Sequence, residues 1–248
     1  MKNVAIFIFF GFSTLAASQA ISADSRETPA EKFHKEILNK NKSSQSIAPE
    51  LVGNENPHVK PFASIIQSSR WNTLSIPVCW ENPSPEYEQS MAWTREAAEQ
   101  TWQKFSSLKF VGWQKCANSN LGIRIQINDT GPHVKTIGQY LNKMKNGMVL
   151  NFTFNNWSQS CKNNLEDCIK SISVHEFGHA IGFTHEQNHP KAPGECKKLA
   201  QGSNPDTLLT PYDPSSSMNY CNKKWNNDGF LSPMDVEAVQ ILYGKPQS

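Results

Sequence analysis

The chain has 248 residues, of which 38% are apolar, including seven tryptophans, and its formal net charge is +2. This length and apolar share suit one globular core, or at most two small ones. Because the basic residues form no cluster, the composition argues against a nucleic-acid partner.

The first 23 residues have the pattern of a secretory signal peptide. Lys2 precedes an apolar stretch from Val4 to Leu15, and small residues follow at candidate cleavage sites that end in Ala20 and Ala23. The stretch is shorter than the roughly 18 residues of a membrane span, so a transmembrane anchor is the weaker alternative. We therefore expect an exported protein without a membrane segment in its mature form. It would be secreted and extracellular, or periplasmic in a Gram-negative host.

Residues 24–65 are polar, charged and free of cysteine. They carry too few apolar side chains to build a core, so we predict a propeptide or a disordered extension. The apolar patterning that is typical of a folded domain begins after them, and we assign residues 66–248 to one such domain.

Strands and helices alternate along this domain. Apolar alternation predicts strands at 71–80, 108–113, 121–127 and 148–154, with a weaker strand near 136–140. Helical spacing predicts helices at 84–105, from about residue 164 and at 232–243, and a loop-rich region covers 184–230. This order predicts the α+β class, with a mixed sheet and helices packed on it.

The six cysteines are an even number in a chain that we expect to be exported. Disulfides are therefore favoured over buried reduced thiols, and fifteen pairings are possible. We favour the pairs that each flank one structural excursion, namely Cys79 with Cys116, Cys161 with Cys168, and Cys196 with Cys221.

Residues 175–185 have the sequence HEFGHAIGFTH. On a helix, His175 and His179 lie on one face and can bind one ion together. His185 can become a third ligand if the helix stops abruptly, and Gly182 allows the left-handed backbone that such a stop requires. Zinc fits this set, because catalytic zinc has three protein ligands and one open position.

Glu176 lies beside the open position at which a water would bind. Zinc lowers the pKa of such a water to about 7, and a neighbouring carboxylate can take its remaining proton as it attacks a carbonyl. Glu176 is therefore the predicted general base of a peptide-bond hydrolysis that has no covalent intermediate. Phe177, together with Val174 and Ile181, is expected to pack this helix into the core.

The motif resembles the signature H-E-x-x-H-x-x-G-x-x-H of the metzincin zinc endopeptidases, and residues 217–220, SMNY, resemble their methionine turn. The resemblance implies a metzincin-like zincin fold: a twisted mixed sheet with a long helix behind it, an active-site helix and a C-terminal helix. It also implies that residues 66–248 are one metzincin catalytic domain with one zinc ion as cofactor. Met218 would form an apolar floor under that metal.

Individual positions resemble different metzincin families. Phe183 and Glu186 look like astacins, in which the equivalent of Glu186 is linked to the mature N-terminus. The turn with Met218 and Tyr220 is similar to that of astacins and serralysins, which implies that Tyr220 is a displaceable fifth ligand or a proton donor to the oxyanion. A buried tyrosine bonded to the backbone is the alternative. Other segments, 123–127, 155–157 and 231–244, resemble matrixins or serralysins, so the family within the metzincins stays open.

We predict a monomeric, exported zinc metalloendopeptidase that acts on proteins or peptides. Its predicted catalytic residues are Glu176 and Tyr220, and its zinc ligands are His175, His179 and His185. His189, which precedes Pro190, is expected to be exposed. The alternatives are a peptide-binding module, a domain with a structural zinc, or a hydrolase of non-peptide amides.

Overall fold

A computed structural model of the chain describes residues 64–247. The predicted signal peptide, residues 1–23, lies outside this range, as do residues 24–63 of the predicted extension. Nothing in the structure therefore bears on these two predictions.

A mixed sheet forms the centre of the fold. Within residues 64–247 the strands are β1 Ser64–Ile65, β2 Ser75–Trp80, β3 Lys109–Lys115, β4 Ile123–Ile127, β5 His133–Val134, β6 Met148–Leu150 and β7 Thr207–Leu208. Five of them form a sheet in the order β3-β2-β4-β6-β5, while β1 and β7 form a separate antiparallel pair. Only β5 runs antiparallel to its neighbour in the large sheet. Because β5 is last in this order, this short strand is an edge strand.

The helices pack against this sheet and against one another. They are α1 Glu88–Ala98, α2 Gln159–Lys162, α3 Leu165–Ala180, α4 Gly194–Lys197 and α5 Pro233–Tyr243, and a π-helical turn, Glu99–Gln103, extends α1. A capping box of Ser232 and Asp235 starts α5, and Gly244, with φ +83°, ends it, as the sequence predicts. In the described part of the chain, no helix is both long enough and apolar enough to cross a lipid bilayer.

Helix α3, which carries the histidine motif, lies at the centre of this packing. The Trp102 indole N–H donates to Val174 O at 2.8 Å and ties α3 to the end of the first helix. On another side, the Phe177 ring meets that of Phe110 on β3 edge to face, with centroids 5.0 Å apart. Both Trp102 and Phe177 are completely buried. The prediction that Phe177 packs this helix into the core is confirmed.

The strands follow the predicted apolar alternation. Ile123, Ile125 and Ile127 of β4 are all buried. Arg124 is buried as well, because its guanidinium forms a two-pronged ion pair with Glu81 at 2.8 and 3.0 Å. A buried charge is tolerated in a sheet when such a pair satisfies it.

The prediction of a weak strand near residues 136–140 is wrong. Gly138 has φ +58°, which breaks an extended run, and a 3₁₀ turn forms at Gly138–Leu141 instead. The backbone of Ser69 approaches Gly138 so closely that a side chain at this position would overlap it. The edge strand lies earlier in the chain, at β5.

All six cysteines lie in the described residues and are paired. The disulfides are Cys79–Cys116, Cys161–Cys168 and Cys196–Cys221. The predicted pairing is thus confirmed. The third bond ties α4 to the residue after the predicted methionine turn.

Candidate metal centre and active site

Helix α3 carries the first two predicted metal ligands. His175 and His179 lie one turn apart on one face, with their Nε2 atoms 3.1 Å from each other. Both side chains are buried, because α3 packs against both α1 and the sheet. The four-residue spacing thus produces the expected pair.

A sharp bend after α3 brings in the third histidine. Gly182 has φ +107°, a backbone conformation that glycine adopts more readily than other residues. Its N–H donates to His179 O at 3.0 Å. The chain then folds back, so that His185 Nε2 lies 3.2 Å from the Nε2 atoms of His175 and His179. The three predicted ligands therefore come together, with ligand atoms within 4.8 Å of one another.

Strand β1 and the residue after it brace this bend. Ser64 O accepts hydrogen bonds from the Thr184 N–H at 2.9 Å and from the Thr184 hydroxyl at 3.1 Å. The Ile66 N–H donates to Gly182 O at 3.2 Å. The predicted domain boundary after residue 65 thus falls inside a segment that contacts the site. The boundary itself stays a prediction.

The hydrogen bonds of the three imidazoles show which nitrogen can bind a metal. Each Nδ1 lies beside a backbone carbonyl: His175 beside Ser217 O at 2.9 Å, His179 beside Phe183 O at 2.8 Å, and His185 beside Gln201 O at 3.0 Å. Because a carbonyl only accepts, each Nδ1 carries the proton and each Nε2 presents a lone pair. The three lone pairs face one another at 3.1–3.2 Å, an arrangement that a cation between them stabilises. Tetrahedral zinc with bonds of about 2.0–2.1 Å separates its ligand nitrogens by roughly 3.4 Å, so these residues fit zinc.

Burial keeps the imidazoles neutral. It lowers the pKa of His179 to about 4 and that of His185 to about 3. Burial, followed by the charges of the other two histidines, also holds the pKa of His175 well below its usual value. Neutral imidazoles can bind a metal without first losing a proton.

Glu176 is buried beside these histidines. Burial raises the pKa of this carboxyl to about 8, although a hydrogen bond from the Val134 backbone opposes the rise. A cation held by the histidines would also oppose it, because a nearby positive charge favours the ionised carboxylate. Among the described residues, Glu176 Oε2 has no hydrogen-bond partner. One carboxylate oxygen is thus left to accept a proton from a reactant.

The Tyr220 ring covers the histidines from another side. It stacks on His175 with centroids 5.1 Å apart and planes 13° apart, and its centroid lies 4.7 Å from that of His185. Burial, and then the charge of Glu176, raise the pKa of this phenol well above its usual value. Tyr220 therefore keeps its proton and can act as a hydrogen-bond donor.

Glu176, His179, His185 and Tyr220 line a cleft of about 320 Å³. Residues 132–137 around β5 form one wall, and residues 201–203 contribute to the lining together with Glu176 and Tyr220. A larger cavity of about 610 Å³ lies between α1, α3 and residues 225–230, and it contains none of the predicted site residues. We place the chemistry in the smaller cleft, because the converging polar groups are there.

Met218 lies against the turn of α3 that carries the histidines. Its side chain is buried, and a Cβ added to Gly178 would overlap its Sδ and lie 3.0 Å from the Trp102 ring. Gly178, between Glu176 and His179, is the residue that leaves room for Met218. That Met218 forms an apolar floor under a metal stays a prediction.

Replacing Gly178 with alanine should therefore disturb the site. We expect Gly178→Ala to lower the free energy of unfolding by about 1–3 kcal/mol, because overpacking displaces Met218. Denaturant unfolding measures this loss. Gly194→Ala is the control, because a Cβ at Gly194 meets no atom within 4 Å. Equal stability of the Gly178→Ala variant and the unmodified protein would show that Met218 does not pack at this turn.

Comparisons with known proteins add solved structures of similar fold. No protein-family model matches the chain, and no curated protein matches it significantly. A structure of myroilysin has 17% sequence identity and a TM-score of 0.50, and the match covers 75% of this chain and 100% of that one. A crystal structure of myroilysin has 19% identity and a TM-score of 0.48, with coverage of 72% and 87%. High choriolytic enzyme 1, a hatching enzyme zinc-protease from the medaka fish Oryzias latipes, has 19% identity and a TM-score of 0.47, with coverage of 75% and 100%.

The chain has a metzincin fold. The myroilysin structure with a TM-score of 0.50 is only 17% identical to this chain, so the likeness concerns the fold alone. It confirms the fold class that the sequence predicts. The roles of the individual site residues are a separate question, which rests on their geometry.

An aspartate of α5 supports the predicted methionine turn, residues 217–220. Asp235 Oδ2 accepts from the Ser217 N–H at 2.8 Å, and Asp235 Oδ1 accepts from the Ser216 hydroxyl at 2.7 Å. The carbonyl of the same Ser217 faces His175 Nδ1. Sequence reasoning identified Asp235 only as a helix cap, because nothing in the local pattern shows that the cap also reaches a distant turn.

The 3₁₀ turn Glu186–Asn188, which follows the third histidine, contacts the rest of the candidate site. Glu186 Oε1 accepts from the Asp213 N–H at 2.9 Å, and Gln187 Oε1 accepts from the Tyr220 N–H at 3.1 Å. Both side chains are buried. The link between Glu186 and a mature N-terminus, which the resemblance to astacins implies, stays a prediction. The contribution of Gln187 could not be found from the sequence, because its partner lies 33 residues away.

The expectation that His189 is exposed is wrong. Its side chain is completely buried and faces the Tyr212 ring, with centroids 6.1 Å apart. His189 Nδ1 accepts from the Lys191 N–H at 2.9 Å, because the chain turns sharply at Pro190. His189 is not part of the cluster of His175, His179 and His185 that could hold a metal ion.

Proposed function

We propose that this chain is an exported, zinc-dependent metalloendopeptidase that hydrolyses peptide bonds in proteins or peptides. The observation that carries the proposal is the convergence of three Nε2 lone pairs beside a buried carboxylate in an open cleft. His175, His179 and His185 would hold the zinc ion. When bound, zinc polarises the scissile carbonyl and lowers the pKa of water at its open position.

The chain's own residues complete the reaction. Glu176 accepts the proton of the attacking water through its unpartnered Oε2 and later delivers this proton to the leaving amine. Tyr220 donates its O–H to the carbonyl oxygen of the substrate as that oxygen gains negative charge. The raised pKa of the Tyr220 phenol supports this role, because the hydroxyl keeps its proton at neutral pH.

The substrate lies extended along the cleft. Strand β5 is at the edge of the sheet and contributes His133 and Val134 to the cleft lining. An edge strand has unpaired backbone groups that can bond to an extended peptide. Residues 201–203 contribute to the cleft as well, so the substrate side chains would meet this segment.

Export is supported by the apolar N-terminal stretch and by the three disulfides, which persist in an oxidising compartment. We propose that the mature protein acts as a monomer on peptide or protein substrates, outside the cell or in the periplasm. Neither a nucleic acid nor a membrane is part of this proposal.

A peptide-binding module, or a domain in which zinc is only structural, is the competing function. A structural site usually closes the fourth position of zinc with a protein ligand. Here Glu176 and Tyr220 line an open cleft together with His179 and His185, which favours catalysis. A hydrolase of non-peptide amides is less well supported, because no feature of the cleft indicates a sugar or lipid.

Digestion of casein and gelatin by the purified, processed protein tests the proposal. We expect cleavage that a chelator abolishes and that added zinc restores. If a fully zinc-loaded sample cleaves neither protein, the binding module is the better reading.

A further inference from the structure

The side chain of Asn188 makes three hydrogen bonds to one segment of the cleft wall. Asn188 Oδ1 accepts from the Gln201 N–H at 3.1 Å, and Asn188 Nδ2 donates to Gln201 O at 2.9 Å and to Ser203 O at 3.1 Å. One amide thus uses both of its donors and one acceptor on this segment. Asn188 lies only three residues after His185, so it connects the wall to the third histidine.

The segment that Asn188 holds has two contacts with the site. Gln201 O also lies 3.0 Å from His185 Nδ1, so this carbonyl orients the imidazole. Gln201, Gly202 and Ser203 line the cleft. Gly202 has φ +71°, and a Cβ added there would lie 3.5 Å from His185 Nδ1, which shows how closely the backbone approaches the ligand.

Residues 201–203 belong to no helix or strand. Helix α4 ends at Lys197, and β7 starts only at Thr207. Within the described chain, the hydrogen bonds of the Gln201 backbone go to the Asn188 and His185 side chains. Without Asn188, only the imidazole itself would hold the carbonyl that must orient it.

We propose that Asn188 is a positioning residue that sets the His185 imidazole for the metal and shapes the wall that selects substrate side chains. The statement about substrate side chains rests on the proposed function. The statement about the His185 imidazole rests on the geometry of the histidines. Outer-shell partners of metal ligands fix the orientation of the ring, and their loss typically weakens metal binding by 10- to 100-fold. Asn188 acts one hydrogen bond further away, so we expect an effect near the lower limit.

Asn82 offers a matched control. Its side chain clasps one residue in the same way, with Oδ1 accepting from the Ile127 N–H at 2.9 Å and Nδ2 donating to Ile127 O at 2.9 Å. Asn82 is not part of the cleft lining. Asn82→Ala therefore removes a similar amide clasp without touching the histidines or residues 201–203.

The experiment compares Asn188→Ala and Asn82→Ala in the processed, full-length mature protein. Zinc affinity is measured by competition with a chromophoric chelator, and cleavage preference is measured with a peptide library. We expect Asn188→Ala to weaken zinc affinity by roughly tenfold, to raise KM more than it lowers kcat, and to broaden the cleavage preference. Asn82→Ala should lower the unfolding midpoint and leave the zinc affinity and the cleavage preference unchanged.

The proposal is overturned if folded Asn188→Ala keeps the zinc affinity and cleavage preference of the unmodified protein, or if Asn82→Ala changes both as much. Should the alanine variant fail to fold, Asn188→Ser gives the same test, because a serine hydroxyl cannot span three backbone partners. If the unmodified protein binds zinc but cleaves no peptide, the proposed function fails. The zinc affinity of the variant still decides the role of Asn188 in that case.

Discussion

Replacement of Glu176 with glutamine is expected to lower kcat by roughly a thousandfold, within the range for loss of a general base, while zinc stays bound. Glutamine has nearly the same shape as glutamate but cannot accept a proton from water. The buried Oε2 of Glu176, which lacks a hydrogen-bond partner among the described residues, is the atom whose basicity is lost. Turnover of a fluorogenic peptide and the zinc content of the purified variant measure the two effects.

Glu166 provides the control on the same helix. Its side chain is 49% exposed and forms an ion pair with Lys170 at 2.8 Å. Glu166→Gln makes the same chemical change far from the cleft lining, and we expect kcat to change by less than about twofold, as for most surface substitutions. Near-normal kcat in the Glu176→Gln variant would exclude Glu176 as the general base.

The second large effect concerns stability. Zinc added to metal-free protein should raise the free energy of unfolding by about 4 kcal/mol when free zinc is 1,000 times its Kd. For a domain of this size, this corresponds to a rise in Tm of roughly 10 °C. The physical reason is that the folded chain brings three lone pairs to 3.1–3.2 Å, whereas the unfolded chain does not. Thermal unfolding with and without zinc measures the difference.

Two histidine variants make this experiment specific. His185→Ala removes one of the three converging nitrogens and should abolish most of the zinc-dependent rise in Tm. His133→Ala removes an exposed histidine from the cleft wall and should leave the rise intact. A rise of the same size in the His185→Ala variant would show that zinc stabilises the chain elsewhere.

The parts of the fold that the sequence predicts correctly are those that local patterns encode. Helix α3 begins at Leu165, close to the predicted start near residue 164, and α5 runs from the predicted cap to Gly244, because apolar spacing and capping residues act within a few positions. The disulfide pairing was also predicted, since each bond closes one excursion of 7 to 37 residues. The predicted strand at 136–140 failed because the approach of Ser69 to Gly138 is a contact between distant parts of the chain.

Within the site, too, local patterns predict some features and contacts between distant residues decide others. The four-residue spacing and Gly182 already place three imidazoles around one point, because a helix and the bend after it are local structures. His189 has the same residue type and a similar spacing, yet it is buried against Tyr212. Residue type and spacing do not distinguish it from the three converging histidines, but its packing does.

The sequence by itself determined the candidate ligand set and the candidate base, since both follow from the order of residues along one helix and its bend. It also determined the fold class, through the order of strands and helices along the chain. Tertiary structure decided which nitrogen of each imidazole faces the other two histidines, how the predicted methionine turn is supported and which residues form the walls of the cleft. These features depend on the carbonyls of Ser217 and Gln201, on Asp235 and on Asn188. Hydrogen bonds between residues so far apart form only after the whole chain has packed, and no local pattern encodes them.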